Sequence, residues 1–370
     1  MRLSACLIVK DEEQYLDDCL SSLSGFADEI IIVDTGSTDR SLDIARAHGA
    51  RVVESAWRED FSFARNLGLD KATGDWILYI DADEQFDTHL ADKSCLNNPH
   101  AIAATVSLQA AATLTPYDEL RLFRNRTDLR FQSVIHETIR PAISAILERD
   151  HAATVTSTPY SLKHYGYEGD LTHKHERNKD MLLRATAKDP NRIYLWHALG
   201  ECYMGLGYSD AAQQAWRRGL ALVREGSSAP GDVLIYADLM SMQFNDETPV
   251  LVDMEPLHEE ACEKHNEDPL IPWYSARGLL TTGEPDAALQ KLNKLVALGP
   301  EGPTGAELGY DRRLFGEFSW ALEGSCELAR GCDSKAARCF NRALSANPDS
   351  VELRTKLHLA NSRLAASELN

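Results

Sequence analysis

Hydrophobic and polar positions alternate in two different rhythms along this chain. Leu3, Ala5, Leu7 and Val9 predict a short strand, and Asp11 is placed to cap a helix carrying Leu16, Cys19, Leu20 and Leu23 on one face. Glu29-Ile-Ile-Ile-Val-Asp34 is a continuous apolar run of the kind buried on both faces of a parallel sheet. Thr35-Gly36-Ser37-Thr38-Asp39 reads as a turn, with Ser37 or Thr38 capping a helix that runs toward His48. Val52 and Val53 predict a third strand, Phe61 to Ala72 a third helix, and Trp76 to Ile80 a fourth strand. This alternation implies a parallel α/β sheet with right-handed crossovers. Between residues 100 and 165 the helical period fades. Strand-like runs at Ala101–Leu108, Glu119–Phe123 and Tyr160–His164 predict an antiparallel extension of that sheet.

From about Leu171 the pattern becomes helical. Trp196, Leu199, Gly200 and Tyr203, followed by Ala212 and Trp216, match the tetratricopeptide signature. Small residues there let two antiparallel helices approach, and the aromatic rings fill the seam. The frame returns at Trp320, Gly324, Ala336 and Phe340, closed by Pro348, and more loosely over Trp273–Leu292 with Gly278 and Ala288. The expected organisation is an α/β domain over residues 1–170 and an all-α helical-repeat domain over 171–370.

A length of 370 residues suits two such domains. With 38 basic and 57 acidic side chains the formal net charge is −19, which disfavours a nucleic-acid-coating or membrane-surface role. No apolar run approaches the roughly 20 residues that span a bilayer. The eight cysteines contain no C-x-x-C pair and read as reduced structural thiols. With no targeting segment in sight, the expected location is the cytoplasm.

The chemistry gathers at strand ends. The fourth strand runs into Asp81-Ala82-Asp83, at the C-terminal edge where open α/β sheets bind ligands. One carboxylate of such a pair can hold a divalent cation while the other takes a hydroxyl. Alone the pattern is common on solvated loops, but Asp34 ends the second strand on the same edge, and Trp57, Asp60, Phe61, Ala64, Arg65 and Asn66 lead into a helix whose arginine can face a pyrophosphate. No G-x-G-x-x-G follows a strand, which disfavours a dehydrogenase, and Lys10-Asp11-Glu12-Glu13 lacks the glycine- and arginine-rich loop of a nucleotidyltransferase.

Four blocks then resemble the family 2 glycosyltransferases of GT-A fold: Leu7–Glu13, Ile32–Asp39, Phe61–Asn66 and Gly74–Glu84. The resemblance covers residues 1–140 well and weakens toward 180. It implies that Asp34 contacts the nucleoside of a nucleotide-sugar, that Arg65 and Asn66 lie beside base or phosphates, and that Asp81 reaches the ribose. Asp83 would ligate Mn²⁺ or Mg²⁺ bridging the two phosphates. Glu12 matches an acidic position that helps hold the base, or is a first-turn helix carboxylate favoured by the macrodipole.

The Glu-Asp motif that supplies the general base in many members is absent. In its place stand His136-Glu137 and Lys163-His-Tyr-Gly-Tyr167, which, with Arg177-Asn178, resemble the subset fused to tetratricopeptide repeats that includes peptide S-glycosyltransferases. That resemblance makes Glu137 the candidate base, with His136 or His164 as a further metal or phosphate contact. It implies an inverting transfer of a hexose, with uridine diphosphate as the family's commonest carrier, to a nucleophile on a peptide, protein or saccharide. The repeats would form an acceptor platform or a homodimer contact. The alternative is a repeat scaffold carrying an inactive transferase domain, against which the intact Asp34, Asp81 and Asp83 argue.

Overall fold

Strand β1 (Leu3–Val9) lies between β2 (Glu29–Asp34) and β4 (Trp76–Tyr79), parallel to both, and β3 (Arg51–Glu54) pairs parallel outside β2. The computed structural model describes residues 1–87, 92–166, 172–226, 231–244, 254–299 and 301–368. Helices α1 (Leu16–Ser22), α2 (Ser41–Ala47) and α3 (Phe61–Leu69) are the crossovers. The apolar run Ile31-Ile-Val33 is buried because β2 is an interior strand with α3 packed against it.

The sheet continues through β5 (Glu84–Phe86), β6 (Ala101–Gln109), β7 (Tyr117–Arg124) and β8 (Thr154–His164), in the order β3-β2-β1-β4-β7-β6-β8-β5. β7 is antiparallel to β4 and to β6, as the sequence leads one to expect, while β5, a strand the periodicity does not predict, is antiparallel to β8. β6 and β8 instead run parallel, because antiparallel β7 has already returned the chain to the edge where β6 begins; α4 (Arg140–Arg149) lies between β7 and β8 in the chain. The fading period around residue 140 conceals that helix, whose Ala142, Ile143 and Ile146 are buried against Phe123, Leu129 and Phe131.

Two expected caps differ. Asp11 adopts a positive φ and accepts a hydrogen bond from Thr38 N, so α1 begins only at Leu16. Neither Ser37 nor Thr38 caps α2; Asp39 accepts from Ser41 N instead. A two-carbon carboxylate arm spans this gap better than a hydroxyl.

The chain divides into two units. The first comprises Met1–Ala112, Pro116–Pro190 and Gly305–Gly309, and so includes α5 (Thr172–Lys188). The expected domain boundary between residues 170 and 171, and Tyr167, lie outside the described residues. The second unit comprises Thr113–Thr115, Asn191–Thr304 and Tyr310–Asn370. Its helices are α6 (Ile193–Gly205), α7 (Ser209–Arg224), α8 (Asp232–Met242), α9 (Met254–Lys264), α10 (Leu270–Thr281), α11 (Pro285–Leu298), α12 (Glu317–Ala329), α13 (Asp333–Ala346) and α14 (Val351–Glu368).

The repeat signature has its physical counterpart in the pairs α6–α7 and α12–α13. A Cβ on Gly200 would sit 2.1 Å from Trp216 Nε1, and one on Gly324 2.7 Å from Phe340 Cε1, so only glycine admits these rings. Ala212 and Ala336 are fully buried in the same seams. In the looser copy, Gly278 of α10 faces His258 of α9, not an aromatic ring on α11. All eight cysteines are free thiols. Among the described residues no helix is long and apolar enough to cross a membrane.

Candidate active site

Strand β4 stops at Tyr79, and Asp81-Ala82-Asp83 turns the chain into β5. Ala82 is buried at the centre of that turn, and the two carboxylates engage different partners. Asp81 Oδ1 accepts a 2.7 Å hydrogen bond from Arg65 Nη2, and Asp83 Oδ2 lies 3.1 Å from His164 Nε2. A one-residue spacer thus separates two sub-sites.

Around Asp81 the charges are tightly organised. Arg65, on α3, also donates through Nε to Glu137 Oε1 at 2.6 Å, and its guanidinium stacks 5.0 Å from the Tyr79 ring centroid. Arg121, on β7, pairs with Glu84 at 2.7 and 3.2 Å and stands 3.8 Å from Asp81 Oδ2. Glu84 in turn accepts from Asp81 N at 2.8 Å. Burial would raise the Asp81 carboxyl, but the guanidinium charges of Arg65 and Arg121 hold it down at about 2. Burial pushes the Glu84 carboxyl up, with Asp81 adding to the rise and Arg121 opposing it.

At Asp83, strand pairing sets the geometry. β5 and β8 align Glu84 with His164, which brings the imidazole beside the preceding aspartate. Tyr165 N donates to Asp83 O at 2.9 Å, and Gly166 packs so closely that a Cβ there would lie 2.0 Å from Asp83 Oδ2. Burial would lower the His164 pKa; the hydrogen bond and charge of Asp83, with Glu84 and Asp81, raise it. One carboxylate oxygen and one imidazole nitrogen suit a divalent cation such as Mn²⁺. Among the described residues no three His, Cys, Asp or Glu side chains form a closed cage. A two-donor site of this kind leaves coordination positions for phosphate oxygens, so the residues fit the implied metal.

Glu12 lies within electrostatic reach of both aspartates. Burial and the charges of Asp83, Asp81 and Asp39 push its carboxyl up to about 7, with Lys174 opposing. α1 starts at Leu16, with Asp17 and Asp18 in its first turn, so the helix-dipole reading of Glu12 does not apply.

Three expected contacts are engaged elsewhere. Asp34 is buried and accepts from Gly36 N and Ser37 N, holding the turn after β2. Asn66 spends its amide on Phe131, donating to the carbonyl and accepting from N–H, each at 3.0 Å. Arg65 has two carboxylates where the sequence leads one to expect a phosphate. Asn66 instead fixes the loop that delivers Glu137. The bridge Gln132–Thr138 closes that loop, Phe61 N and Ser62 Oγ bond its carbonyls, and His136 takes a φ of 48° within it.

Glu84 and Arg121 carry no motif of their own in the sequence, yet both are buried against Asp81, Arg121 through its guanidinium and Glu84 by accepting from Asp81 N. An arginine inside the apolar stretch Leu120–Phe123 was the available signal, since such a charge needs a buried partner.

Residues 4–101 match the model of glycosyl transferase family 2. The chain is 36% identical over 253 residues to a TPR repeat-containing protein of Synechococcus elongatus, covering 66% of this chain and 63% of that protein. It is 29% identical over 146 residues to glycosyltransferase SunS of Bacillus phage SPbeta, covering 35% of this chain and 33% of that protein. It thus spans less than two thirds of either relative's length. Among solved structures, glucosyl-3-phosphoglycerate synthase from Mycobacterium tuberculosis in complex with Mn²⁺, uridine diphosphate and phosphoglyceric acid is similar with a TM-score of 0.38 at 17% identity, covering 49% of this chain and 76% of that one. Residues 4–101 thus carry the match to glycosyl transferase family 2, and a helical unit follows them in the chain.

Proposed function

We propose that the protein is an inverting glycosyltransferase that moves a hexose from a nucleotide-sugar, with uridine diphosphate as carrier, to a nucleophile on a peptide or protein. The observation that carries this reading is the division of labour at the end of β4. Asp81 is held ionised by two guanidiniums, while Asp83 stands beside His164 with Gly166 clearing the space. Asp81 receives the ribose hydroxyls, Glu12 lines the nucleoside side, and Asp34 acts there indirectly by holding the turn after β2. A divalent cation, Mn²⁺ or Mg²⁺, held by Asp83 and His164 supplies charge neutralisation for the departing diphosphate.

The reaction is one displacement. The acceptor nucleophile forms a bond to the anomeric carbon as the bond to the diphosphate oxygen breaks, and its proton passes to Glu137, beside His136. Arg65 fixes the Glu137 carboxylate relative to Asp81 by binding both. The helical unit offers the acceptor platform or a homodimer contact. A cytoplasmic location follows from a donor that is made there.

A thermal-shift screen of nucleoside diphosphates and nucleotide-sugars, with and without Mn²⁺, tests the reading. A ligand at a hundred times its dissociation constant adds about 2.7 kcal/mol to the folded state. Metal-dependent stabilisation by one nucleotide, lost in Asp83→Asn, supports the transferase. No response to any nucleotide would leave the repeat-scaffold reading in its place.

A further inference from the structure

The donor-side charge balance leaves a requirement that the residues above do not meet. Asp81 and Asp83 stand at the end of β4, and the charges of both act on the Glu12 carboxyl. A diphosphate bound beside them brings further negative charge. The guanidiniums beside Asp81, those of Arg65 and Arg121, are both taken up by Asp81, Glu137 and Glu84.

Helix α5 carries two cations of a different kind. Lys174 Nζ donates to Gly166 O at 3.3 Å, and Gly166 is the residue packed on Asp83 Oδ2. The Lys174 charge is felt at Glu12. One turn on, the Arg177 guanidinium lies 5.7 Å from the centroid of Phe61, which precedes Arg65 by one turn of α3, and donates to Asn178 Oδ1 at 3.0 Å. Residues three apart share a helix face, so the two cations flank the region from Asp83 to Phe61. Both are exposed, and among the described residues neither is paired with a carboxylate. Elsewhere in the same unit Arg126, Arg130 and Arg184 each hold one. In a chain with 19 more acidic than basic side chains, two adjacent cations left to neutral oxygens mark a place for an anion.

We propose that Lys174 and Arg177 bind the phosphate oxygens of the nucleotide, so that α5 forms the cationic wall of the donor site opposite Asp83. This rests on the transferase reading and deepens it. The ligand class is a nucleoside diphosphate, gripped between the carboxylate edge of the sheet and a helix that the family-matching residues 4–101 do not include.

The test titrates UDP, GDP, ADP and CDP, and the corresponding nucleosides, into the full chain with saturating MnCl2, for wild type, Lys174→Gln and Arg177→Gln. Each substitution is expected to weaken diphosphate binding by about ten-fold or more, the worth of one charge-assisted hydrogen bond. Nucleoside binding stays unchanged. Arg184→Gln, whose partner is Glu59, leaves both unchanged. Arg177→Met keeps the stem against Phe61 and shows the same loss, which separates charge from packing should Arg177→Gln melt early. If both glutamine variants bind the diphosphate as wild type does, α5 has no such role while the transferase reading stands. If wild type binds none of the four, both readings fall.

Discussion

Arg65 and Glu137 are 72 positions apart in sequence, yet Nε of one lies 2.6 Å from Oε1 of the other, and the same guanidinium reaches Asp81 at 2.7 Å. One buried cation therefore ties the end of β4 to the loop after β7. Arg65→Met would leave the Glu137 carboxylate, 12 % exposed, and the Asp81 carboxylate, 36 % exposed, without their shared cation. Water reaches Asp81 and Arg121 stays beside it, so the loss is smaller than that of a fully buried pair, about 3–5 kcal/mol, and urea denaturation of the α/β unit should show about 1–3 kcal/mol. A change under about 1 kcal/mol would mean that water already screens the cluster.

Glu137→Gln separates positioning from proton transfer. The amide oxygen still accepts from Arg65 Nε, so stability should change little. Loss of a general base lowers kcat by about 10²–10⁴, with little effect on KM for the donor. A variant that retains kcat would show that Glu137 only orients Arg65.

Gly166→Ala should act on Asp83 alone. Its Cβ would lie 2.0 Å from Oδ2, which forces the carboxylate away from His164. The expected result is a raised Mn²⁺ requirement for nucleotide binding, read by thermal shift at stepped metal concentrations. An unchanged metal dependence would place the cation elsewhere. Gly200→Ala in the helical unit provides the packing counterpart. Trp216 must move from a 2.1 Å clash, and overpacking of about 1–3 kcal/mol outweighs the roughly 1 kcal/mol gained by alanine in a helix.

The helical unit should weaken in alkali through His197. The ring is buried between Asp238, at 2.7 Å from Nδ1, and Glu201, at 3.2 Å from Nε2. Burial would lower its pKa, but the hydrogen bonds and charges of these carboxylates push it up to about 10. The folded value lies above the unfolded one of about 6.5, so the contribution is complete below pH 6.5 and is lost as pH rises toward 10. Melting curves at pH 6 and pH 9.5 should show a drop in wild type that is smaller in His197→Gln. Equal drops in the two proteins would remove His197 as the cause.

Much of the molecule was legible in one dimension. The apolar runs at β1, β2 and β4 and the signatures around Gly200 and Gly324 depend on local periodicity and on the size of single residues. Sequence alone reports these because a strand repeats every two residues, and a helix seam needs a small residue at one position. The same reading put Asp81 and Asp83 at a strand end. Which partners those carboxylates meet was decided by the tertiary structure. His164 reaches Asp83 only because β8 pairs with β5, and Arg121 reaches Glu84 only because β7 lies beside β4. Periodicity tells which face of an element is buried but carries no information on which distant strand lies next to it. Strand order and register are settled by the packing of the whole sheet, and the charge pairs of the site follow from them.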